Sequence, residues 1–519
     1  MATALKTPDI EAALAALDAT LLTDEAERRY HSQDTAEAGE LPLAVFRPHS
    51  VAALAEGVRL ATASGLAVFP RGGGMSYTSG YLPDRTSAVL IDLAGLTAIT
   101  EINPQDLHVT VEAGCTWAAL DAALAPHGLR TPFWGPFSGY TATVGGSMSQ
   151  GTATFGTARN GLSGENVIGF DIVTACGDIL TTGPAGQATH SQFMRQYGPD
   201  LTGLFTNDCG ALGIKARITL PLEPRPEEVA GLSFLFEDFA ALAAAMQAID
   251  RAGLASEAFA MDPAVTRQFS GQNSGFTQDL QQLLAIGRAQ GSWAKGLLRM
   301  AEVARAGRRF LGREGYHLHV VTEADDAPTL RRQQARIRKL AATGSVELPS
   351  TVPTMVRATP FSPLPVLSPT GGRVYPLHGI VPWSKAKPLD DAMQALITAH
   401  APASKACNLT IGTSFFGVAR SGLLYEPVLY WPDARLESHE RRTTTDLPRH
   451  PANPEATALV KQITAEMLAL YRQHSATHLQ IGRMYPWAED RNPPAMALIR
   501  AIKAELDPHN LINPGVLGL

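Results

Sequence analysis

Cysteine is scarce in this chain: four residues in 519, Cys115, Cys176, Cys209 and Cys407, with no CxxC pair. Their wide spacing argues against a disulfide framework. Charge of one sign is not in excess either, since 43 Lys and Arg stand against 49 Asp and Glu, a formal net charge of -6. A mildly acidic chain has no general electrostatic attraction for nucleic acid or an anionic membrane. No apolar run approaches the ~18 residues that read as a membrane span. The opening stretch, MATALKTPDIEAALAAL, carries acids and lacks the basic start, apolar stretch and cleavage site of a secretory leader. Internal repeats and low-complexity segments are missing as well. These absences predict a soluble protein with no membrane span and no nucleic-acid partner, in a reducing, cytoplasmic compartment.

What is present is an ordinary globular composition, 45% hydrophobic and 18% charged. At ~100–200 residues per domain, the length predicts two to four domains. Residues 8–30 read as helical, and 43–65 as strand, turn and helix with Ser50 as N-cap. Further strands are expected at 66–69, 87–93, 107–114, 167–174, 178–182 and 214–226, with a helix at 116–128 ending on Gly128. Residues 131–166 are rich in Gly, Ser, Thr and Pro. A loop of that length inside a compact domain is usually functional. Beyond 226 the composition changes. Helical patterns at 236–250, 277–311, 327–344 and 457–476 accompany a strand at 315–324, and the proline-dense 349–388 reads as loops and edge segments. A last helix stops at Asp507–Pro508.

The most informative segment is PRGGGMSYTSGYLP, 70–83, which lies between two expected strands. Glycines accept positive φ and carry no Cβ, so Gly72, Gly73 and Gly74 let backbone N–H groups face an anion. With Ser76, Thr78 and Ser79 they suit a pyrophosphate. No GK[ST] follows, which excludes a Walker loop, and the next element is a strand rather than a helix, which excludes a Rossmann fingerprint. A second glycine-rich segment, TATVGGSMSQGTATFG at 141–156, contains Gly145–Gly146 and is followed by a strand pair. Two such loops between strands could converge on one long, dianionic cofactor.

The order RGGGMSYTSG, VEAGCTWAALDAALAPHGL, TATVGGSMSQGTATFG, NVIGFDIVTACGDIL and LDPHNLINPG resembles the vanillyl-alcohol oxidase/p-cresol methylhydroxylase (PCMH-type) flavoprotein superfamily over roughly 43–225 and the C-terminal tail. The resemblance implies an α+β fold. A PCMH-type FAD-binding domain of two α/β subdomains would span 1–226, an α+β cap with a helix-covered antiparallel sheet 227–476, and a segment returning to the FAD domain 477–519. It also implies that Arg71, Gly72, Gly73, Gly74, Met75, Ser76 and Tyr77 line the pyrophosphate. Thr143, Gly145, Gly146 and Ser149 would stand near the ribityl chain and flavin, Ile168 near the adenine through its backbone, and Asn513 near the flavin. Met75 stands where relatives that attach FAD through this loop have histidine, and no cysteine occurs in 137–143. Covalent attachment at those places is excluded; a link from the cap is not.

Chemistry at a flavin requires a held C–H bond, a proton acceptor and an anchor for the polar end of the substrate. IGRMYPWAED (481–490) offers Arg483 and Tyr485 near where phenol-oxidising relatives carry a Tyr–Arg pair, here in the order Arg-Met-Tyr. RVYPLHGIVPW (373–383) offers Arg373, Tyr375 and His378, in a segment that the family uses as a cap strand. His317 and His319 in YHLHVV fall on one strand face, which suits a proton relay, two metal ligands or plain packing. SHERRTTTD (438–446) reads as a solvated charge run, and HSATH (474–478) lacks the glutamate of a zinc helix. The HxGDGNxH metal motif of 2-hydroxy-acid relatives is absent, so no metal is expected. The resemblance implies an FAD-dependent oxidase or dehydrogenase acting on an organic alcohol or a para-substituted phenol, with O2 or a redox protein as electron acceptor and a homodimer as a compatible assembly. The alternatives are a D-lactate-type 2-hydroxy-acid dehydrogenase using Arg373 and Arg483, a nucleotide-sugar reductase, and a flavin-binding protein without turnover.

Overall fold

In the computed structural model, which describes residues 7–270 and 313–519 apart from 362, 364, 365, 444, 445 and 490, the apolar runs pair into three main sheets. The first holds β1 (Ala19–Leu22), β2 (Ala44–Pro48), β3 (Ala67–Arg71) and β4 (Ala88–Asp92) in the order β1-β2-β4-β3. Strands β2, β3 and β4 run parallel, with β1 antiparallel at the edge. The continuous apolar runs of β3 and β4 fit a parallel sheet covered on both faces. The C-terminal tail extends this sheet: Val68 N–H donates to the Leu511 carbonyl and Asn513 N–H to the Val68 carbonyl, both at 2.8 Å.

The second sheet is antiparallel, in the order β5-β6-β10-β8-β9. Its strands are β5 (Ile99–Asn103), β6 (His108–Glu112), β8 (Gly169–Val173), β9 (Ile179–Thr181) and β10 (Ile214–Pro221). A short ladder joins β7 (Leu129–Arg130) to β11 (Glu223–Pro224). The third and largest sheet, also antiparallel, is β15-β12-β14-β13-β18-β19-β16, with β17 also paired to β19. It is built from β12 (Glu228–Phe236), β13 (Glu257–Met261), β14 (Tyr316–Ala324), β15 (Ser345–Leu348), β16 (Arg373–Pro376), β17 (Gly379–Pro382), β18 (Thr410–Val418) and β19 (Gly422–Trp431).

Alternation along these strands separates two faces. Leu232, Phe234, Leu318, Val320, Phe415, Leu423 and Tyr425 enter a core shared with the helices Phe239–Arg251, Ala327–Ala341, Trp383–Ala406 and Pro454–Gln473. The opposite face presents Ser233, His319, Phe259, Phe416, Leu424 and Glu426. This α+β architecture, with its helix-covered antiparallel sheet, is the one expected from the resemblance.

Two expectations need correction. The helix expected over 8–30 is two helices, Thr7–Ala15 and Glu25–His31, separated by β1; Asp24 starts the second by accepting from the N–H groups of Ala26 and Glu27. The proline-dense 349–388 includes the helix Thr351–Ala358 and the start of a 24-residue helix that holds Pro388 and Pro402. Burial of Leu389 and Met393 in the core outweighs an interior proline, which costs ~3 kcal/mol by itself. The helical pattern expected at 277–311 lies outside the described residues.

One buried group should leave a mark on stability. Asp250, 2% exposed, packs against Gly417 with neither carboxyl oxygen hydrogen-bonded, and burial pushes its pKa up to about 8. The folded chain therefore keeps a proton that the unfolded chain releases near pH 4, and stability falls as pH rises between roughly 4 and 8. Asp250→Asn should stabilise the fold by on the order of a few kcal/mol more at pH 8 than at pH 5, read as a larger rise in thermal midpoint at pH 8. Equal shifts at the two pH values would refute this.

Candidate active site

The two glycine-rich segments meet. A Cβ on Gly72 would lie 2.6 Å from Thr143 Oγ1, and one on Gly73 would overlap the Thr141 carbonyl, so only glycine allows this approach. Gly74 adopts φ +68°, and a Cβ there would strike the guanidinium groups of Arg71 and Arg442. Among the described residues, the N–H groups of 73–77 donate to no protein acceptor. Such a run of free donors suits a phosphate. The second loop differs. Its N–H groups are satisfied internally, Gly145 by the Ala113 carbonyl and Gly146 by Thr143 Oγ1, so it supplies a close-packed wall.

Between the loops and the large sheet lies a cavity of about 280 Å³. Gly72, Gly73, Gly74, Met75, Ser76 and Tyr77 line one side, and Thr143, Gly145, Gly146 and Ser149 another. The sheet contributes Pro376, Phe416, Leu424 and Glu426, and the segment after the long helix contributes Leu479 and Gln480.

Arg71, Ile168 and Asn513 are not in that lining. Arg71 is buried, 3.7 Å from Asp92, beneath Tyr30 and Tyr81. Ile168 donates its N–H to the Thr219 carbonyl and accepts from Gln192 Nε2, so its backbone is already partnered. Asn513 donates Nδ2–H to the carbonyls of Gly80 (2.8 Å) and Cys209 (2.7 Å), both of which line the cavity, so it ties the tail to the wall.

The five side chains offered for chemistry, Arg373, Tyr375, His378, Arg483 and Tyr485, form a layer behind the lining. Arg483 donates to the carbonyls of Ser79, Leu82 and Pro514 and lies over Phe69, which makes it a clamp on the loop. Arg373 contacts the Ala36 and Ala434 carbonyls and Asp433. The Tyr485 hydroxyl accepts from the His378 N–H at 2.9 Å and meets His378 Nδ1 at 3.1 Å. His478 Nδ1–H donates to the His378 carbonyl, and its ring stacks on Tyr485 at 4.1 Å. Burial holds His378 down to about 3, so it is a neutral imidazole. Tyr375 and His378 pack edge-on against Tyr77 at 6.4 and 5.8 Å, and of these rings Tyr77 reaches the cavity.

Two residues beside the cavity and its loop escaped the sequence reading. Glu426, half-buried on β19, lines the cavity. Removal from water pushes its carboxyl up to about 8. Its only signal in GLLYEPVLYW is an acid inside an apolar strand. The second is Arg442, in the stretch expected to be a solvated charge run. It donates to the Gly73 and Gly74 carbonyls at 3.0 and 2.8 Å and reaches Met75 Sδ at 2.9 Å. Its neighbours Ser438 and His439 are buried against Gln33, Asp34 and Thr35. Burial tends to raise the nearby Tyr30 hydroxyl, but Arg442 and Arg71 outweigh it and lower the pKa, a sign of strong positive potential beside the loop.

His317 and His319 are both fully buried, with His319 Nδ1 2.9 Å from Ser233 Oγ. Among the described residues no group of three or more His, Cys, Asp or Glu could hold a metal ion, and no helix is long and apolar enough to cross a membrane.

Comparison with known proteins bears on this geometry. Residues 42–183 match the model of the FAD binding domain, and 442–517 that of the C-terminal domain of FAD linked oxidases. The chain is 29% identical over 219 residues to glycolate oxidase subunit GlcD of Bacillus subtilis (strain 168), covering 42% of this chain and 45% of that one. It is 28% identical over 197 residues to D-lactate dehydrogenase [cytochrome] 1, mitochondrial, of Saccharomyces cerevisiae, covering 37% and 32%. The alignment thus spans less than half the length of these curated relatives. A crystal structure of p-cresol methylhydroxylase with substrate bound superposes with a TM-score of 0.72 at 17% identity, covering 99% of this chain and 96% of that one. Both matched segments reach the cavity of this structure, the first through 72–77 and the loop at 143–149, the second through Leu479 and Gln480.

Proposed function

We infer, from the membership of this chain in the PCMH-type FAD-linked oxidoreductases, that it is an enzyme oxidising a neutral, largely apolar organic alcohol or phenol, with the FAD loops drawn from 1–226 and 477–519 and the sheet of 227–476 acting as the cap. The residues present fit FAD: free N–H donors at 73–77 suit a pyrophosphate, and Arg442 and Arg71 add positive charge beside them. When bound, FAD supplies the two-electron acceptor for a substrate C–H hydride.

The observation that carries the substrate reading is Glu426, among the described residues the one acid on the cavity wall, beside Phe416, Leu424 and Pro376. Raised to about 8, it sits near working pH, where a carboxylate can take a hydroxyl proton. Tyr77 and Gln480, joined at 3.3 Å, would orient the substrate's oxygen. The Tyr485–His378–His478 stack would hold Tyr77 in place. A 2-hydroxy acid is favoured by the relatives' names, but Arg373 and Arg483 are held by backbone carbonyls and Asp433 behind the lining, and Lys215, which does line the cavity, is paired with Asp208 at 2.6 Å, which supports a neutral substrate. Among the described residues, the cap side of the cavity is lined by Pro376, Phe416, Leu424 and Glu426, with no His, Cys or Tyr, which supports non-covalent FAD. Acid precipitation should release the yellow colour into the supernatant.

The test of the whole reading is anaerobic bleaching of the purified yellow protein by a panel of alcohols, phenols and 2-hydroxy acids. Bleaching by an aryl alcohol or phenol is expected. Bleaching by 2-hydroxy acids alone would replace this substrate class, and a flavin unchanged by every compound would favour a protein without turnover. Arg442→Met should loosen FAD by about tenfold, the effect of losing charge-assisted hydrogen bonds that hold the loop, read by fluorescence titration of the apoprotein.

A further inference from the structure

The wall of the cavity between the glycine loops and the large sheet carries a backbone outlier. Thr154, half-buried, lines that cavity at φ 140°, a region that glycine enters freely and a β-branched residue avoids. Four hydrogen bonds hold the chain there. Thr154 N–H donates to Thr157 Oγ1 at 2.8 Å, and the Thr154 carbonyl accepts from Thr157 N–H at 3.1 Å. The next residue, Phe155, is tied to another segment: its N–H donates to the Gly135 carbonyl at 3.0 Å and its carbonyl accepts from Trp134 N–H at 3.2 Å. Strain of this kind persists only where the surroundings over-determine it, and it concentrates at ligand sites. The Thr154 hydroxyl donates to the Ala153 carbonyl, so its proton is not available to a ligand. What the side chain offers the cavity is bulk.

Thr154 also lines a second, much smaller cavity of about 10 Å³, room for about one water-sized molecule. The two cavities share three lining residues, Phe137, Thr154 and Phe416. Behind them the small cavity is walled by Phe155, Ala158, Phe259 and Val356. The Phe137 ring lies 5.1 Å from Phe155, 6.3 Å from Phe259 and 6.5 Å from Phe416, and Phe259 stacks on Phe416 at 6.4 Å. Both phenylalanines of the shared wall are thus braced by other rings, and Thr154 is its one small member. Among the described residues Glu257 is the one charged group on the small cavity; it accepts from the Ser256 hydroxyl at 2.7 Å and stands 3.9 Å from Arg357.

We propose that Thr154 is a specificity-determining residue: its side chain closes the apolar end of the substrate cavity against the small aromatic cavity, and so sets how long an apolar substituent the enzyme accepts. This rests on the reading of the larger cavity as the substrate site. Replacement by glycine removes the partition and the strain together, so stability should rise as selectivity falls.

The test is calorimetric titration of the FAD-loaded wild type, Thr154→Gly and Thr154→Val with 4-methylphenol, 4-ethylphenol and 4-butylphenol. The flavin is kept reduced by dithionite without air, so that no turnover intervenes. Wild type should bind 4-butylphenol at least tenfold more weakly than 4-ethylphenol. Thr154→Gly should bind 4-butylphenol about tenfold more tightly than wild type does, the gain from burying about two methylenes, and 4-methylphenol within threefold of it. Thr154→Val keeps the bulk and loses the hydroxyl, so it should keep the wild-type order. Without ligand, Thr154→Gly should raise the thermal midpoint by about 1–3 °C, where glycine at an unstrained position lowers it. Unchanged affinity of Thr154→Gly for 4-butylphenol, loss of the length order in Thr154→Val, a thermal midpoint of Thr154→Gly at or below wild type, or no binding of any of the three phenols to wild type would each overturn the proposal. An intact length order without bleaching of the oxidised flavin would sink only the substrate reading, and bleaching without a length order only this inference.

Discussion

Glu426→Gln is expected to lower turnover by about 10²–10³-fold while leaving FAD bound, the range over which a positioned general base usually acts. The substitution keeps the shape of the side chain on β19 and removes only its ability to take a proton. The pH profile carries the more diagnostic result. A carboxyl raised to about 8 is mostly protonated at neutral pH, and the base form grows as pH rises. The wild-type rate should therefore climb close to tenfold per pH unit below about 8 and then level off. In Glu426→Gln that slope should vanish. Turnover within threefold of wild type, or an unchanged pH slope in the variant, would remove Glu426 from the chemistry.

Gly73→Val should give a protein that emerges colourless from gel filtration. A Cβ at this position would overlap the Thr141 carbonyl, and backbone cannot yield as a flexible side chain can. The two loops must then separate, at a cost of about 1–3 kcal/mol typical of overpacking, and the free N–H donors of 73–77 lose their common arrangement. Loss of at least 100-fold in FAD affinity is expected. Gly65→Ala is the control. It sits at φ +77° with nothing within 4 Å of the added methyl, so it carries backbone strain without the clash. It should lower the thermal midpoint slightly and stay yellow. If both variants retain FAD equally, the loop contact does not hold the cofactor.

Much of the cofactor half was legible in the linear chain because its signals are local. A run of glycines between strands, Ser50 capping the helix Val51–Ala63, and Gly128 at φ 67° each act over a few residues. Which side chains line the cavity was not legible for an equally physical reason. Tyr485, His378 and Arg483 have the right chemistry, but whether a side chain lines a cavity or stands one layer behind it depends on which face of which sheet is apposed to the loops. Glu426 differs from a surface acid only in that β19 turns even-numbered residues to the cavity and Tyr425 to the helices. Arg442 differs from its neighbour Arg441, which pairs with Glu27 and Glu437 near solvent, by one position on a short helix.

The order of motifs along the chain by itself carried the family resemblance, the class of fold and the place of the glycine loops, since those depend on glycine conformations and short-range turns. The tertiary structure alone decided which acid faces the cavity, which arginine grips the loop and which residue stands between the two cavities. Those properties arise when segments hundreds of residues apart, such as Arg442 and Gly73 or Arg130 and Glu323, are brought within hydrogen-bond range and out of water.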